Sequence, residues 1–148
     1  LSQVFARRMI SQAVEDGRED APVGSIINLS SIAARRAQTD LMAFSVSLAA
    51  CDQMTRSLAV ALAPERIRVN AIAFGSVMSE SLKGILKEHP DFRDEIVKST
   101  PLARIAGAAE LGEVAQFLAS DGSGFMTGQV LTIDGGRTLV DPVHVSAH

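Results

Sequence analysis

One stretch decides the fold: residues 25–74, SIINLSSIAARRAQTDLMAFSVSLAACDQMTRSLAVALAPERIRVNAIAF. Its first residues, 25–30, predict a short strand that is buried on both faces. A long helix is predicted over residues 39–63, where Pro64 stops it. Residues 67–74, which Gly75 follows, predict a second strand. A strand, a crossover helix and a second strand together indicate an α/β fold with a parallel sheet.

The same alternation continues on both sides of this stretch. The other predicted elements are a helix over residues 1–16, one or two short helices over 80–100 broken near Pro90, a helix over 110–119 and a strand over 129–134. Gly17 is expected to end the first helix, and Thr39 or Asp40 to provide the N-cap of the long one. The chain of 148 residues is therefore expected to form one domain.

Composition excludes several functions. A net charge of −3 gives no basic surface for nucleic acid or an anionic membrane, so binding to either is not expected. The most apolar segment, residues 57–64, is far too short to span a bilayer. The single Cys51 permits no internal disulfide, which fits a reducing cytoplasm, and the sequence has no Cys/His cluster typical of a metal site.

Residues 28–48 carry the segment most informative about chemistry. They resemble the Ser…Tyr-x-x-x-Lys signature of the short-chain dehydrogenase/reductases, with Ser31 at the serine position. The tyrosine position, thirteen residues later, is Phe44, and the lysine position is Leu48. The resemblance implies a catalytic role for Ser31, whereas Phe44 and Leu48 are not expected to be competent.

The two replacements matter because hydride transfer between nicotinamide and a carbonyl or alcohol also moves a proton. A phenol has an unperturbed pKa near 10, and a cation one helical turn away lowers that pKa. Phe44 has no proton to move, and Leu48 has no charge to lower a pKa. Losing general acid–base help costs roughly 100- to 10,000-fold in rate. The resemblance therefore implies a parent reaction of NAD(P)-dependent hydride transfer between an alcohol and a ketone that is absent or strongly impaired here.

A simpler interpretation exists for the two apolar residues. Apolar side chains recur at helical spacing along the long helix, at Leu41, Phe44, Leu48, Cys51 and Leu58. Such a stripe is typical of a helix face that packs against a core. By composition alone, Phe44 and Leu48 are core residues.

Further segments extend the resemblance from residue 1 to about residue 141. Residues 68–75 resemble the family's Arg-Val-Asn strand, and its C-terminal signature is matched by residues 117–121, 127–128 and 134–136. No Gly-rich turn between a strand and a helix, the usual pyrophosphate site, is found in the sequence. The resemblance thus implies a single partial domain over residues 1–148, the C-terminal half of a doubly wound Rossmann-like sheet.

The resemblance also implies half of a nicotinamide pocket. Leu29, Gly75, Val77 and Ser79 are expected to contact NAD or NADP, and residues 76–100 match the substrate lid in position. Without the resemblance, Gly75 and Ser79 indicate an ordinary strand-to-helix turn with a helix cap. Ser31 would then be a serine with a structural role in a turn. An ion pair is expected between Arg104 and Glu110.

Partners follow from the same comparison. The implied substrate is a small alcohol or carbonyl compound, and a homo-oligomer is expected through the helices over residues 1–16 and 39–63. Small residues Ala49, Ala50 and Ala61 would permit close helix approach. Two other hypotheses stay open: a non-catalytic relative that binds a ligand or a subunit, and an enzyme in which water or a substrate group moves the proton.

Overall fold

The computed structural model describes residues 1–18, 20–37 and 39–141, and its centre is a three-stranded parallel sheet. The strands are β1 (Gly24–Ser31), β2 (Ile67–Phe74) and β3 (Val130–Ile133), in the order β1-β2-β3. The predicted α/β class with a parallel sheet is confirmed. In the register, Ser31 is opposite Phe74, which is opposite Ile133, so the carboxyl ends of all three strands meet at one edge.

Five α-helices flank the sheet in the described part of the chain. They are α1 (Ser2–Glu15), α2 (Met42–Leu62), α3 (Glu80–Glu88), α4 (Asp91–Lys98) and α5 (Ala108–Ala119). The predicted break near Pro90 is confirmed, because Pro90 is the N-cap of α4. Gly17 follows α1 with a φ of +66°, the left-handed conformation expected of a glycine that ends a helix.

The start of α2 differs from the prediction. A 3₁₀ turn, Thr39–Leu41, precedes the helix, and the N-cap is Leu41, which makes no side-chain capping hydrogen bond. The expectation that Thr39 or Asp40 caps the helix is therefore wrong, because both residues lie inside the tighter turn that leads into it. At the other end, α2 stops before Pro64 as predicted, in a second 3₁₀ turn, Ala63–Glu65.

The buried face of α2 also differs from the predicted apolar stripe. The helix turns Asp52, Thr55 and Ala59 inward, and Thr55 Oγ1 accepts a hydrogen bond from Asn28 Nδ2 of β1 at 2.9 Å. Phe44 lies eleven residues before Thr55, about 16 Å along the helix, whereas only about 10 Å of strand follows Asn28. Phe44 is therefore beyond the end of the sheet and 48% exposed, and its assignment to the core is wrong.

The core lies between the sheet, α1 and α2. Its buried apolar members are Ala6, Ala13, Val23, Ile26, Ala59, Ile67 and Val69. β1 is not buried on both faces as predicted, because Leu29 is 61% exposed on this edge strand. Within the described residues, no helix is both long and apolar enough to cross a membrane.

Candidate functional site

A cleft of about 1060 Å³ opens at the carboxyl edge of the sheet. Within the described part of the chain, its walls come from five segments: residues 31–36 at the end of β1, residues 40–44 at the start of α2, Gly75 and Ser76 after β2, residues 92–101 along and after α4, and residues 137–141 after β3. In α/β sheets, ligands bind outside the carboxyl ends of the strands. The cleft is therefore the candidate functional site.

Ser31 is the last residue of β1, and it lines the cleft. Its Oγ accepts a hydrogen bond of 3.2 Å from the Ala33 amide and so caps the 3₁₀ turn Ile32–Ala34. This bond uses a lone pair of the hydroxyl and leaves its proton available to donate. Ser31 is thus both the turn serine of the simpler interpretation and a hydroxyl on the cleft wall.

Phe44 and Leu48 do not share the same surroundings. The Phe44 ring lines the cleft together with Ser31, whereas Leu48 is half-buried and is not among the residues that line it. The sequence contains no tyrosine that could supply a phenol in place of Phe44. The cleft lining therefore includes both a serine hydroxyl and an apolar ring.

Gly75 ends β2 and lines the cleft. Its amide donates to the Ile133 carbonyl at 2.9 Å, and a Cβ at this position would lie 3.0 Å from both Cα and Cβ of Asp134. Real Cβ atoms make such close contacts only when their neighbours shift. A glycine is thus needed here because the turn after β3 passes against the end of β2.

Val77 is buried and is not among the residues that line the cleft. It pairs with Ala106 in an isolated parallel bridge, in which the Ala106 amide donates to the Ser76 carbonyl at 3.3 Å. The Val77 carbonyl accepts from the Ser79 amide at 2.7 Å. The carbonyl of Val77, a predicted cofactor contact, therefore already has a partner in the chain.

Ser79 is the N-cap of α3, where its Oγ accepts from the Leu82 amide at 3.2 Å. The simple capping role is confirmed. Ser79 and Leu29, like Val77, are not among the residues that line the cleft. Of the four predicted cofactor contacts, only Gly75 lies on it, and contact of the other three with a cofactor stays a prediction.

The turn after β3 is fixed by Asp134. Its carboxylate accepts from the amides of Gly136 at 2.9 Å and Thr138 at 2.7 Å. Burial alone would raise the pKa of Asp134, but the hydrogen bonds from Thr138 and Gly136 and the charge of Arg137 outweigh burial and lower it. An ionised carboxylate thus holds residues 134–138 beside the cleft.

Two arginines on the cleft wall were missed by the sequence analysis. Arg137 Nη1 donates to Ser76 Oγ at 3.0 Å, and Arg36 Nη2 donates to the Thr138 carbonyl. These contacts join residues 61 and 102 positions apart, so no local spacing reveals them. The sequence offered one sign of a site residue: Arg137 directly follows Asp134-Gly-Gly136, at the end of a predicted strand.

Outside the cleft wall, the predicted pair of Arg104 and Glu110 is confirmed at the start of α5. The guanidinium donates to both carboxylate oxygens, at 2.8 and 2.6 Å, and the Gly107 amide donates to Glu110 at 2.8 Å. The Arg104 hydrogen bonds, followed by that of Gly107, lower the pKa of Glu110 from 4.5 to about 2. The same bond to Gly107 lets α5 begin at Ala108, before the predicted residue 110.

Replacing Arg104 by Gln is expected to raise the pKa of Glu110 toward 4.5, as measured by a ¹³C NMR titration of its carboxyl carbon. Because the pKa is lower in the folded state, the pair stabilises the fold above about pH 4.5, and this contribution is lost as the pH falls toward 2. Lys83→Gln, which breaks the pair with Glu80, is the control and should leave the titration of Glu110 unchanged. An unchanged Glu110 titration in Arg104→Gln would contradict this assignment.

Comparison with known proteins adds a family-level finding. The sequence model of a family described as enoyl-(acyl carrier protein) reductase matches residues 4–138. The chain is 30% identical over 133 residues to 7alpha-hydroxysteroid dehydrogenase of Escherichia coli (strain K12), covering 90% of the chain and 51% of the relative. It is 41% identical over 128 residues to oxidoreductase UcpA of Salmonella typhimurium, covering 82% and 49%.

Solved structures agree with this comparison. A gluconate 5-dehydrogenase from Burkholderia cenocepacia J2315, in complex with NADP and tartrate, superposes with a TM-score of 0.82 at 31% identity. The match covers 95% of the chain and 51% of that protein. The chain spans about half the length of the curated relatives that it matches.

Proposed function

Because this chain belongs to the short-chain dehydrogenase/reductase family, we propose that it contributes the substrate side of an oxidoreductase that transfers hydride between NAD(P) and an alcohol or ketone, with impaired proton transfer. One observation carries the proposal. Ser31, Phe44 and Gly75 line a single cleft at the carboxyl edge of the sheet. They occupy the positions at which the resemblance places the serine, the tyrosine and the nicotinamide strand.

Each of these residues has a distinct part in the proposed reaction. NAD(P)H, when bound, supplies the hydride. The Ser31 hydroxyl donates a hydrogen bond to the carbonyl oxygen of the substrate, and the bare backbone at Gly75 permits a close approach. Phe44 packs against the substrate and keeps water from that side but exchanges no proton. The proton therefore comes from solvent, at a cost of roughly 100- to 10,000-fold in rate relative to a positioned acid.

Ser31→Ala is expected to lower kcat/KM for ketone reduction by about 100- to 1000-fold, the usual cost of removing one donor to a developing oxyanion. The measurement follows NAD(P)H absorbance with a panel of small ketones. Ser30→Ala is the matched control, since Ser30 is buried, does not line the cleft and makes no side-chain hydrogen bond among the described residues. Equal rates for Ser31→Ala and the parent protein would rule out this use of the cleft.

A second candidate function is a non-catalytic protein that binds a ligand or a subunit. The exposed Phe44 ring favours it, because the ring makes the cleft more apolar than a tyrosine would. Retained binding of NAD(P)H or ketone with no turnover, in the parent protein and after restoration of the tyrosine, would support this function over the first. A cytoplasmic location belongs to either proposal, since a reducing compartment keeps the lone Cys51 free.

Self-association through α1 and α2 is also part of the proposal. Both helices expose apolar side chains, with Val4 and Val14 of α1 at 68 and 76% and Val46 and Val60 of α2 at 64 and 78%. The small side chains of Ala49, Ala50 and Ala61 are exposed on α2 as well. Exposed apolar side chains on these two helices favour an interaction site. A second copy would cover it.

The double substitution Val46→Glu with Val60→Glu is expected to weaken self-association by at least about tenfold, because burying an unpaired carboxylate is costly. Sedimentation velocity over a range of concentrations measures the effect. Gln53→Glu adds a charge at an exposed polar position of the same helix and should change little. A parent protein that is monomeric at every concentration would contradict the proposal.

A further inference from the structure

Two arginine side chains of the cleft wall are associated with the turn after β3: Arg137 belongs to this turn, and Arg36 bonds to it. Arg137 Nη1 donates to Ser76 Oγ at 3.0 Å, and Arg36 Nη2 donates to the carbonyl of Thr138, the next residue after Arg137. Both arginines line the cleft. The turn held by Asp134 thus brings two cations, distant in sequence, to the same wall.

We infer that Arg137 and Arg36 form an anion subsite that takes the carboxylate of a small hydroxy or oxo acid, an inference that rests on the proposed use of the cleft as a substrate site. Within residues 1–18, 20–37 and 39–141, neither guanidinium forms a salt bridge with a carboxylate. The charge of Arg137 helps to lower the pKa of Asp134. The carboxylate oxygens of Asp134, however, accept hydrogen bonds from the backbone amides of Gly136 and Thr138.

The donor geometry favours a bound anion. A guanidinium has five N–H donors. Within the described residues, the Arg137 side chain makes one hydrogen bond to the protein. Arg137 is half-buried, so its remaining donors are partly removed from water. A carboxylate can accept two parallel hydrogen bonds from one guanidinium, which is the geometry that arginine suits best. A bound carboxylate would therefore offset the cost of half-burying this cation.

The other charged side chains of the cleft favour a carboxylate over a phosphate as the bound anion. Asp40, Glu95 and Asp141 line it as well, as does Lys98. Among the lining residues that the structure describes, the formal charges of three acids and three cations cancel, so selection must come from the local pair of guanidinium groups. The three acids disfavour a doubly charged phosphate more than a singly charged carboxylate.

Ser31 indicates a second functional group of the ligand. Its hydroxyl lines the same cleft and keeps a proton to donate to a carbonyl or hydroxyl oxygen. A ligand that meets Ser31 with one group and the arginines with another carries both an oxo or hydroxy group and a carboxylate. This describes a small oxo or hydroxy acid.

Isothermal titration calorimetry of the 148-residue chain with 4-oxopentanoate and its uncharged analogue 4-oxopentanamide tests the inference. The carboxylate is expected to bind at least tenfold more tightly than the amide. Arg137→Gln should weaken carboxylate binding by about 10- to 100-fold, as expected for loss of a charged hydrogen bond, and leave amide binding within about twofold. Arg36→Gln, at an exposed side chain, should give a smaller but equally selective loss.

Arg35→Gln is the matched control, because Arg35 is exposed next to Arg36 but does not line the cleft. It should change neither affinity, and circular dichroism melting curves show whether each variant is folded. Equal affinity for carboxylate and amide, no binding of the carboxylate, tighter binding of methyl phosphate, or unchanged carboxylate affinity in both folded Arg137→Gln and Arg36→Gln would overturn the inference. Binding needs no turnover, so selective carboxylate binding without hydride transfer would overturn the proposed reaction alone.

Discussion

The double substitution Phe44→Tyr with Leu48→Lys is expected to raise kcat/KM for alcohol oxidation by about 100- to 10,000-fold, the usual contribution of a positioned acid–base group. Phe44 already lines the same cleft as Ser31, so we expect a phenol at this position to reach the reacting oxygen. Leu48 lies one turn further along α2 and is half-buried. A lysine there has a stem long enough to bring its ammonium toward the phenol and lower the pKa of that phenol.

Initial rates with NAD and NADP over a range of pH measure this effect. The restored protein should show a rate plateau above the pKa of the new tyrosine, whereas the parent rate should keep rising with hydroxide concentration. Leu41→Tyr is a suitable control, because it adds a phenol to the same cleft three residues before the required position. A folded double variant no faster than the parent protein would show that the defect lies elsewhere.

Asn70→Ala is expected to lower the free energy of unfolding by about 2–4 kcal/mol, since each polar group left buried and unpaired costs roughly 1–3 kcal/mol. Asn70 is fully buried in β2. Its Nδ2 donates to the Met126 carbonyl at 2.8 Å, and its Oδ1 accepts from the Gln129 amide at 3.0 Å. This side chain therefore holds the segment that leads into β3 against the sheet.

Urea unfolding followed by circular dichroism measures the loss. Gln129→Ala removes an exposed amide of the same chemistry, whose one side-chain hydrogen bond among the described residues is to the nearby Thr127 carbonyl, at 3.2 Å. The control should change stability by no more than about 0.5 kcal/mol. If Asn70→Ala were as mild as the control, the assigned role of the two hydrogen bonds would be wrong.

Local sequence patterns were sufficient to predict most of the framework. Residues 67–74 form β2 with the predicted bounds, because Ile67, Val69 and the largely apolar residues 71–74 favour a short buried strand, which Gly75 follows. Pro90 separates α3 from α4 because a proline lacks the amide that a continuous helix would need. The resemblance also led to Ser31, Phe44 and Gly75, which the structure brings together.

Helical periodicity could not predict which residues are exposed where the surroundings of the helix determine their burial. The spacing of Leu41 and Phe44 cannot reveal that the sheet ends before their turn of α2, which leaves both on the cleft. The same limit applies to Arg36 and Arg137, whose partners Thr138 and Ser76 are far away in sequence. An arginine in a loop gives no local sign that a cleft lies in front of it.

The central claim is that hydride transfer takes place at this cleft and is slow because Phe44 cannot move a proton. Its most direct test is transfer of deuterium from C4-deuterated NADH or NADPH to cyclohexanone or 4-oxopentanoate, with the product alcohol examined by mass spectrometry. We expect label in the alcohol with the parent protein, slowly, and faster with Phe44→Tyr/Leu48→Lys. No label with either folded protein would contradict the claim and favour a non-catalytic role.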